Sequence, residues 1–443
     1  MRFVTNEIAA AVGGTAHFSA VTVEGVATDS RKVAPGNLFV PVRAARDGHE
    51  FIAEALRRGA AAYLTERDDD LGDEGSPAIR VADTVGALRD LAIFARGRLR
   101  ATTVGITGSV GKTTTKDLTS GVLSTTLVTH ASERSFNNYL GVPLTVLNAP
   151  ADCDALVLEI GTNAPGEIAA LCRVARPDVG VVTRVAVAHT AGFGDELGVA
   201  EEKADLVRAL PAGGLAVLNA DDPLVANMAT QTCCPCLMFG ETDGDVRLRI
   251  LSVDPELRAH IRADTPWGVV ETVLAARGRH QVTNAGAAIA VGGHLGVPVD
   301  AIASGLAHAR LSGSRMALRR ANRGFKLIDD SYNANPESMR AALEALAALP
   351  AIRRVAVVGQ MTELGAISTQ QHEYVAAEAK RLGIELLAVE APEYGVHNLD
   401  DVLAAAKWLW LADLGEDDAV LVKASHVSGL ERLVGLLCDP DRP

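Results

Sequence analysis

The chain has 443 residues, 48% of them hydrophobic, with 42 basic side chains against 55 acidic ones for a net charge of -13. That length exceeds one ordinary core and predicts about three domains of roughly 100 to 200 residues each. The acidic balance argues against nucleic acid or an anionic membrane as the main partner, so any anionic substrate must be met by local positive features.

The opening MRFVTNEIAAAVGG lacks the basic, apolar and small-residue order of a secretory signal, and no run reaches about 18 apolar residues; a soluble cytoplasmic chain is expected. Residues 1 to about 85 read as a small α/β unit. Short apolar strands at Leu38–Val42 and Ala61–Leu64 alternate with a helical stretch from Phe51 to Gly59. Two polar clusters interrupt it, Thr28-Asp29-Ser30-Arg31-Lys32 and Arg43-Ala44-Ala45-Arg46-Asp47-Gly48-His49. Each reads either as a solvated turn or as a loop offering ligand contacts. The acidic run Asp68 to Gly75 reads as a solvent loop.

A helix over Val85–Arg98 leads into a second unit, from Thr102 to about Ala309, with a repeated strand-loop-helix rhythm. The apolar runs Thr103–Ile106, Ala155–Ile160, Val179–Thr183 and Leu215–Asn219 read as strands buried on both faces, hence a parallel sheet flanked by helices. Ligands sit at the carboxyl ends of such strands.

The first run ends in Thr107-Gly108-Ser109-Val110-Gly111-Lys112-Thr113-Thr114-Thr115-Lys116. Two glycines let backbone amides approach an anion, a helix begins there, Lys112 can reach β- and γ-phosphate oxygens, and the Thr113 hydroxyl can ligate Mg²⁺. The stricter G-x-x-x-x-G-K-[ST] pattern needs glycine at position 106, which is Ile106, so the match is to a shorter variant. Glu159 ends the second run, where a nucleotide-bound Mg²⁺ needs an oxygen ligand. His189 comes after the third run and is balanced between a structural and a ligating role. Glu201-Glu202-Lys203-Ala204-Asp205 opens a helical segment in which Lys203 reads as a surface lysine.

The six cysteines, Cys153, Cys172, Cys233, Cys234, Cys236 and Cys438, show no pairing framework, and Cys233-Cys234-Pro235-Cys236 has no second ligand cluster downstream. Reduced structural thiols are expected there rather than zinc. Residues from about 313 onward form a third α/β unit, with strands at Phe325–Ile328, Val355–Val358, Glu385–Val389 and Ala419–Val422. The first of these runs into the polar loop Asp329-Asp330-Ser331-Tyr332-Asn333-Ala334-Asn335-Pro336, and Arg315 comes directly after a hinge at Ser312-Gly313-Ser314.

Together TGSVGKTTTK (107 to 116), SFNNYLGVPLT (135 to 145), LEIGTNAPGEIA (158 to 169), AHTAGFG (188 to 194), GVAEEKAD (198 to 205), LNADDP (218 to 223), GRHQVTNA (278 to 285), DDSYNANPESM (329 to 339) and LVKAS (421 to 425) resemble the Mur ligases of peptidoglycan synthesis. The resemblance spans the chain. It implies a three-domain α/β architecture: residues 1–85 binding a UDP-sugar, 86–312 a central parallel-sheet P-loop ATPase, and 313–443 a Rossmann-like domain that completes the nucleotide site and receives an amine. The implied reaction is ATP-dependent amide formation through an acyl phosphate. FNN-x-x-GVP and DDSYNANP point to the branch that joins D-alanyl-D-alanine to a UDP-N-acetylmuramoyl tripeptide.

Position by position, the resemblance gives the ATP phosphates to Gly108, Ser109, Val110, Gly111, Lys112, Thr113 and Thr114, and one Mg²⁺ to Thr113 and Glu159. It implies a second Mg²⁺ bound with His189 and supported by Lys203 carbamylated by CO₂. Lys112, Glu159, His189 and Lys203 would carry the chemistry. Asn284 would contact adenine, Asp330 the ribose and Arg315 the phosphates. Ser30, Arg31, Asp47, Gly48 and His49 fall on the UDP-sugar region, and Asn137, Asn138, Asn333 and Asn335 on substrate-facing loops. A monomer is expected.

Arg184 stands five residues before His189. A positive charge about 5 Å from Mg²⁺ would meet roughly 7 kcal/mol of repulsion at an effective dielectric of about 20, so Arg184 is expected to point away or pair with an anion. Two alternatives stay open on the sequence: a paralogue that joins another carboxylate and amine, and a nucleotide-binding protein without catalysis.

Overall fold

The structure, a computed structural model, describes residues 1–16, 18–71, 76–186 and 193–439. Among these the chain forms three α/β units. The first holds a five-stranded sheet in the order Thr15–Ala16, Ala78–Arg80, Ala62–Thr65, Leu38–Phe39, Val26–Ala27, parallel except for its first pair. A two-stranded antiparallel ribbon, Arg2–Val4 with Thr22–Glu24, lies beside it. The helix expected from Phe51 to Gly59 forms over Ile52–Arg57 and is preceded by a 3₁₀ turn, Gly48–Phe51. Asp47 caps that turn, its carboxylate accepting from the His49 amide. The acidic loop opens with a 3₁₀ turn at Asp69–Leu71, and 72–75 lie outside the described residues.

Helix Thr84–Arg98 joins the first two units rather than only linking them. Asp83 caps it by accepting from the Val85 and Gly86 amides. Its buried face, Ala87, Leu88, Leu91, Ala92 and Ala95, belongs to one cluster with Phe3, Leu38 and Leu64 on one side and Val142, Val146 and Ile168 on the other. Leu88 and Leu91 are fully buried, each stabilising the junction by roughly 1.5–3 kcal/mol. Arg96 closes the far end, donating to the carbonyls of Ala175, Leu99 and Arg176 and to Asp178.

The central sheet has nine strands in the order Gly268–Arg277, Arg258–Thr265, Val246–Val253, Cys236–Gly240, Leu215–Asn219, Val179–Val182, Thr102–Thr107, Ala155–Glu159, Thr129–Ala131. The expected strands all form. The expectation of a purely parallel sheet is corrected at one edge, where the first two pairs are antiparallel. Those strands alternate buried and exposed residues, as the pattern BeBeieee of Val246–Val253 records, because one face meets helices and the other meets solvent. The strand Thr102–Thr107, which feeds the turn from Gly108 to Gly111, is buried throughout beyond Thr102 and sits near the middle of the sheet.

The C-terminal sheet has six strands in the order Ala317–Arg320, Lys326–Asp330, Ala419–Lys423, Arg354–Val358, Glu385–Val389, His397–Leu399, parallel except for the first pair. Separate apolar clusters cover its two faces. No described helix is long and apolar enough to cross a membrane.

Candidate functional site

The carboxyl ends of the central and C-terminal sheets face a common cleft of about 530 Å³. Its floor is the turn between strand Thr102–Thr107 and helix Lys112–Leu123. Gly108 has φ +149° and Gly111 φ +83°, and a Cβ would collide with Thr183 Oγ1 at the first and with Asn284 Oδ1 at the second. Only glycine fits either position. The loop between them is pinned by the next strand end. Ser109 N donates to the Arg184 carbonyl at 2.7 Å, Ser109 Oγ to the Ala186 carbonyl at 3.1 Å, and Thr183 Oγ1 to the Val110 carbonyl at 2.6 Å. Such a loop presents backbone amides at a helix start, the arrangement that holds a phosphate chain.

Lys112 Nζ lies against this loop, donating to the Gly108 carbonyl at 2.7 Å. Burial lowers its pKa, Glu159 opposes that fall, Arg315 adds to it and Glu363 opposes it. Thr113, one residue on, is buried and donates from Oγ1 to Glu159 Oε2 at 2.7 Å. Asn137 Nδ2 donates to the other oxygen, Oε1, at 2.8 Å. Glu159 is 1% exposed. A buried carboxylate and a hydroxyl beside a phosphate loop match the oxygen donors that Mg²⁺ takes. Among the described residues no cluster of three His, Cys, Asp or Glu side chains could hold a metal.

His189 lies outside the described residues. Lys203 is not the surface lysine that its neighbours suggested: helix Glu196–Arg208 starts five residues earlier than Glu201, and Lys203 is 1% exposed on its inner face. Burial, then the charge of Lys112, pushes its pKa down to about 7, with Glu202 opposing. Glu202 is held by the Gly166 amide at 2.7 Å and the Ile168 amide at 2.8 Å. Its role in anchoring the 162–168 loop carried no sequence signal.

The opposite wall belongs to the C-terminal unit. Strands Lys326–Asp330 and Ala419–Lys423 run parallel with Asp330 directly beside Lys423, and Lys423 Nζ donates to the Asp330 carboxylate and to the Asn333 carbonyl. Lys423 was missed as a site residue, although the strand-end rule that found Glu159 applies to it equally. Asp330 also accepts from the Met316 amide at 3.1 Å, which ties the strand to the hinge. Arg315 spans the units: its guanidinium lies 4.3 Å from the Tyr332 ring centroid and donates to Ser135 Oγ at 3.0 Å. Ser312, at the hinge, donates from N and Oγ to Asp117 on the phosphate-loop helix.

Asn284 lines the cleft and accepts from Thr115 Oγ1 at 3.2 Å. Arg184 does pair with an anion, Nη1 lying 3.4 Å from Glu337 Oε1 across the cleft. Asn138, Asn333 and Asn335 line the cleft, yet each has a local task. Asn138 Oδ1 accepts from the Leu140 and Gly141 amides, Asn333 Oδ1 from the Ala334 amide, and Asn335 Oδ1 from the Ser338 amide as the cap of helix Pro336–Ala348.

The N-terminal candidates do not line this cleft. Ser30 Oγ donates to Glu54 Oε2 at 3.1 Å, and Arg31 forks onto Asp29. Asp47 contacts His49 Nδ1 at 2.7 Å and pairs with Arg43 and Arg67. The His49 amide, then the His49 ring and Arg67, hold the Asp47 pKa down to about 2 against burial. Gly48 packs against Val42 and Pro41 so tightly that a Cβ there would meet backbone atoms. Lys32, next to Arg31, reaches the central unit, 3.8 Å from Glu133 and over the Phe136 ring.

Similarity to known proteins extends over all three units. The Mur ligase family catalytic domain matches residues 22–96, the Mur ligase middle domain 106–292, and the Mur ligase glutamate ligase domain 314–426. A UDP-N-acetylmuramoyl-tripeptide--D-alanyl-D-alanine ligase of Escherichia coli (strain K12) is 34% identical over 434 residues, 94% of each chain. One of the same description from Mycobacterium tuberculosis (strain ATCC 25618 / H37Rv) is 37% identical over 472 residues, 93% of this chain and 92% of its own. Among solved structures, MurF from Acinetobacter baumannii superposes with a TM-score of 0.88 at 28% identity, covering 99% of both chains. The MurF ligase of Thermotoga maritima in complex with ADP gives 0.81 at 31% identity, covering 94% of this chain and 97% of its own.

Proposed function

The chain belongs to the Mur ligase family, and from that premise we propose that it joins D-alanyl-D-alanine to UDP-N-acetylmuramoyl-tripeptide in peptidoglycan precursor synthesis, using ATP. The observation that carries the reading is the cleft itself. Lys112, Thr113 and Glu159 of one sheet face Arg315, Asp330 and Lys423 of another, within reach of one nucleotide.

The phosphate-loop amides from Gly108 to Thr114 and the Lys112 ammonium hold the phosphate chain, Asn284 meets the base, and Asp330 meets the ribose. Arg315 reaches the phosphates from the hinge. Thr113 and Glu159 hold Mg²⁺, which when bound neutralises phosphate charge and aligns the γ-phosphoryl group. The tripeptide carboxylate attacks the γ-phosphorus, the bond to the β,γ-bridging oxygen breaks and ADP leaves, giving an acyl phosphate; the neutral dipeptide amine then attacks its carbonyl carbon, phosphate leaves and the nitrogen gives up a proton. Lys112 and Arg315 stabilise the charge that builds on the transferring oxygens.

Lys203 is the residue for a CO₂-derived carbamate. Only the neutral amine adds CO₂, and an ammonium with its pKa brought down to about 7 supplies that form at physiological pH. The carbamate would join His189 at a second Mg²⁺. Ser30, Arg31, Asp47, Gly48 and His49 belong to the UDP-sugar end, with Asn137 and Asn138 on the central unit's wall of the cleft and Asn333 and Asn335 on its far wall. The three working units are residues 1–85, 86–312 and 313–443, in a cytoplasmic monomer.

The test is phosphate release by the purified chain with ATP, Mg²⁺ and a panel of carboxylates and amines. Release that depends jointly on the UDP-tripeptide and D-alanyl-D-alanine is expected. Turnover with a different amine only, or on a carrier without UDP, would replace this reading with that of a paralogue.

A further inference from the structure

The amine that this reaction consumes arrives mostly as a cation, because an α-amino group has a pKa of about 7.7–8.0. The cleft it enters is rich in positive charge, with Lys112, Arg184, Arg315 and Lys423 all on its lining. With ATP bound its phosphates offset much of that field, and a carboxylate on the wall fixes where the ammonium sits. Lys112 marks the γ-phosphate end, and Glu159 and Glu363 line the same cleft, both opposing the fall that burial imposes on the Lys112 pKa. Glu159 sits on the floor, held between Thr113 and Asn137. Glu363 comes from the opposite wall.

The loop that carries Glu363 is built to hold it in place. It leaves strand Arg354–Val358, and Tyr394 OH donates to the Gly359 carbonyl at 3.1 Å. Ser425 N donates to the Gln360 carbonyl, His372 Nε2 accepts from the Met361 amide, and Thr362 N donates to Ser425 Oγ. Met361 and Leu364, each 2% exposed, bury the chain on both sides. Between them Glu363 is exposed to the cleft with φ +71°, a left-handed conformation that glycine or asparagine would adopt at less cost. A glutamate kept there by surrounding contacts is local strain spent on position.

We propose that Glu363 binds the ammonium group of the incoming amine and so selects the second substrate, a reading that rests on the ligase chemistry above and deepens it. Glu363→Gln keeps the shape and removes the charge; Glu363→Asn removes it with a residue that accepts the left-handed backbone, and serves if the first variant melts early. Both are measured in the full chain by steady-state kinetics in each of the three substrates. Inhibition by the dipeptide's deaminated analogue, a propionyl group in place of the first alanyl group, is measured alongside.

Loss of one charge-assisted contact should raise KM for the dipeptide roughly tenfold to a hundredfold, with KM for ATP and for the UDP-tripeptide unchanged. Wild type should bind the dipeptide better than the deaminated analogue, and the variants should bind both alike. Unchanged dipeptide KM, or an equal loss of ATP affinity, would overturn the proposal. If wild type works only with another amine, the substrate reading falls instead. That amine and its own deaminated analogue then enter the same comparison, so the two failures are told apart.

Discussion

The central and N-terminal units spend their charged side chains in opposite ways. In the N-terminal unit Asp47 is surrounded by His49, Arg43 and Arg67, Arg31 by Asp29, and Ser30 by Glu54, so charges and hydroxyls largely answer one another. In the central unit Lys112 leans on its own loop and Lys203 lies buried with its charged form disfavoured, while Thr113 and Glu159 bring two oxygens together where a cation would be held. A self-satisfied cluster stabilises a fold. Charges kept buried beside a cleft cost stability and are held for a ligand that completes them.

If that contrast is right, substitutions in the central unit cut chemistry and those in the N-terminal unit cut stability or substrate affinity. The largest effect is expected for Lys112→Ala, a fall in kcat of about 100- to 1000-fold with the melting temperature kept. Rate and melting curves together check it, and wild-type turnover in that variant would mean that the phosphate loop is misassigned.

Lys203→Ala should lose about 10- to 100-fold in activity and recover part of it with added acetate or formate. Removing CO₂ from wild type should lower activity and bicarbonate should restore it. The sign with pH is set by the depressed pKa: below about 7 the ammonium dominates and cannot add CO₂, so activity should rise as pH climbs through 7. The same depression makes stability rise with pH from about 7 towards the lysine's unfolded value, because the unfolded chain binds the extra proton. A flat activity profile from pH 6 to 8, with no carboxylate rescue, would remove Lys203 from the site.

Asp47→Ala should cost about 1 kcal/mol of stability through the lost cap, with kcat near wild type. Since its carboxylate titrates at about 2 when folded, its stabilisation is complete above its unfolded pKa and disappears as pH falls from there towards 2. Thermal melts from pH 6 down to 2 read that window. The smallest effect is expected for Arg31→Ala. The Arg31–Asp29 pair is exposed and screened by solvent, so it adds little to folding, and the readout is KM for the UDP-substrate, expected to rise severalfold with KM for ATP unchanged. No change would make the N-terminal cluster purely structural and sharpen the contrast.

Strand ends were the part of this molecule that its sequence made legible. Buried parallel strands need continuous apolar runs, so Thr103–Ile106, Ala155–Ile160 and Val179–Thr183 mark themselves, and the residues just past each run fall at one edge of one sheet. That rule pointed to the turn that starts at Gly108 and to Glu159, which the structure brings to one cleft, and it singled out His189. The glycines of the loop were legible too, because a close backbone approach leaves no room for a side chain. The resemblance to Mur ligases rested on these same short motifs and matched the family that the whole chain belongs to.

The tertiary structure decided which polar groups are buried and which meet. Lys203 looks like any helical lysine, and only the packing of helix Glu196–Arg208 on the sheet makes it a desolvated amine. Asp330 and Lys423 lie 93 residues apart and are neighbours only because their strands pair, while Arg184 and Glu337 pair only because two units close on one cleft. The antiparallel edge from Val246 to Arg277 and the strain at Glu363 have the same origin. Desolvation, strand register and domain closure depend on partners distant in sequence, and no local pattern records them.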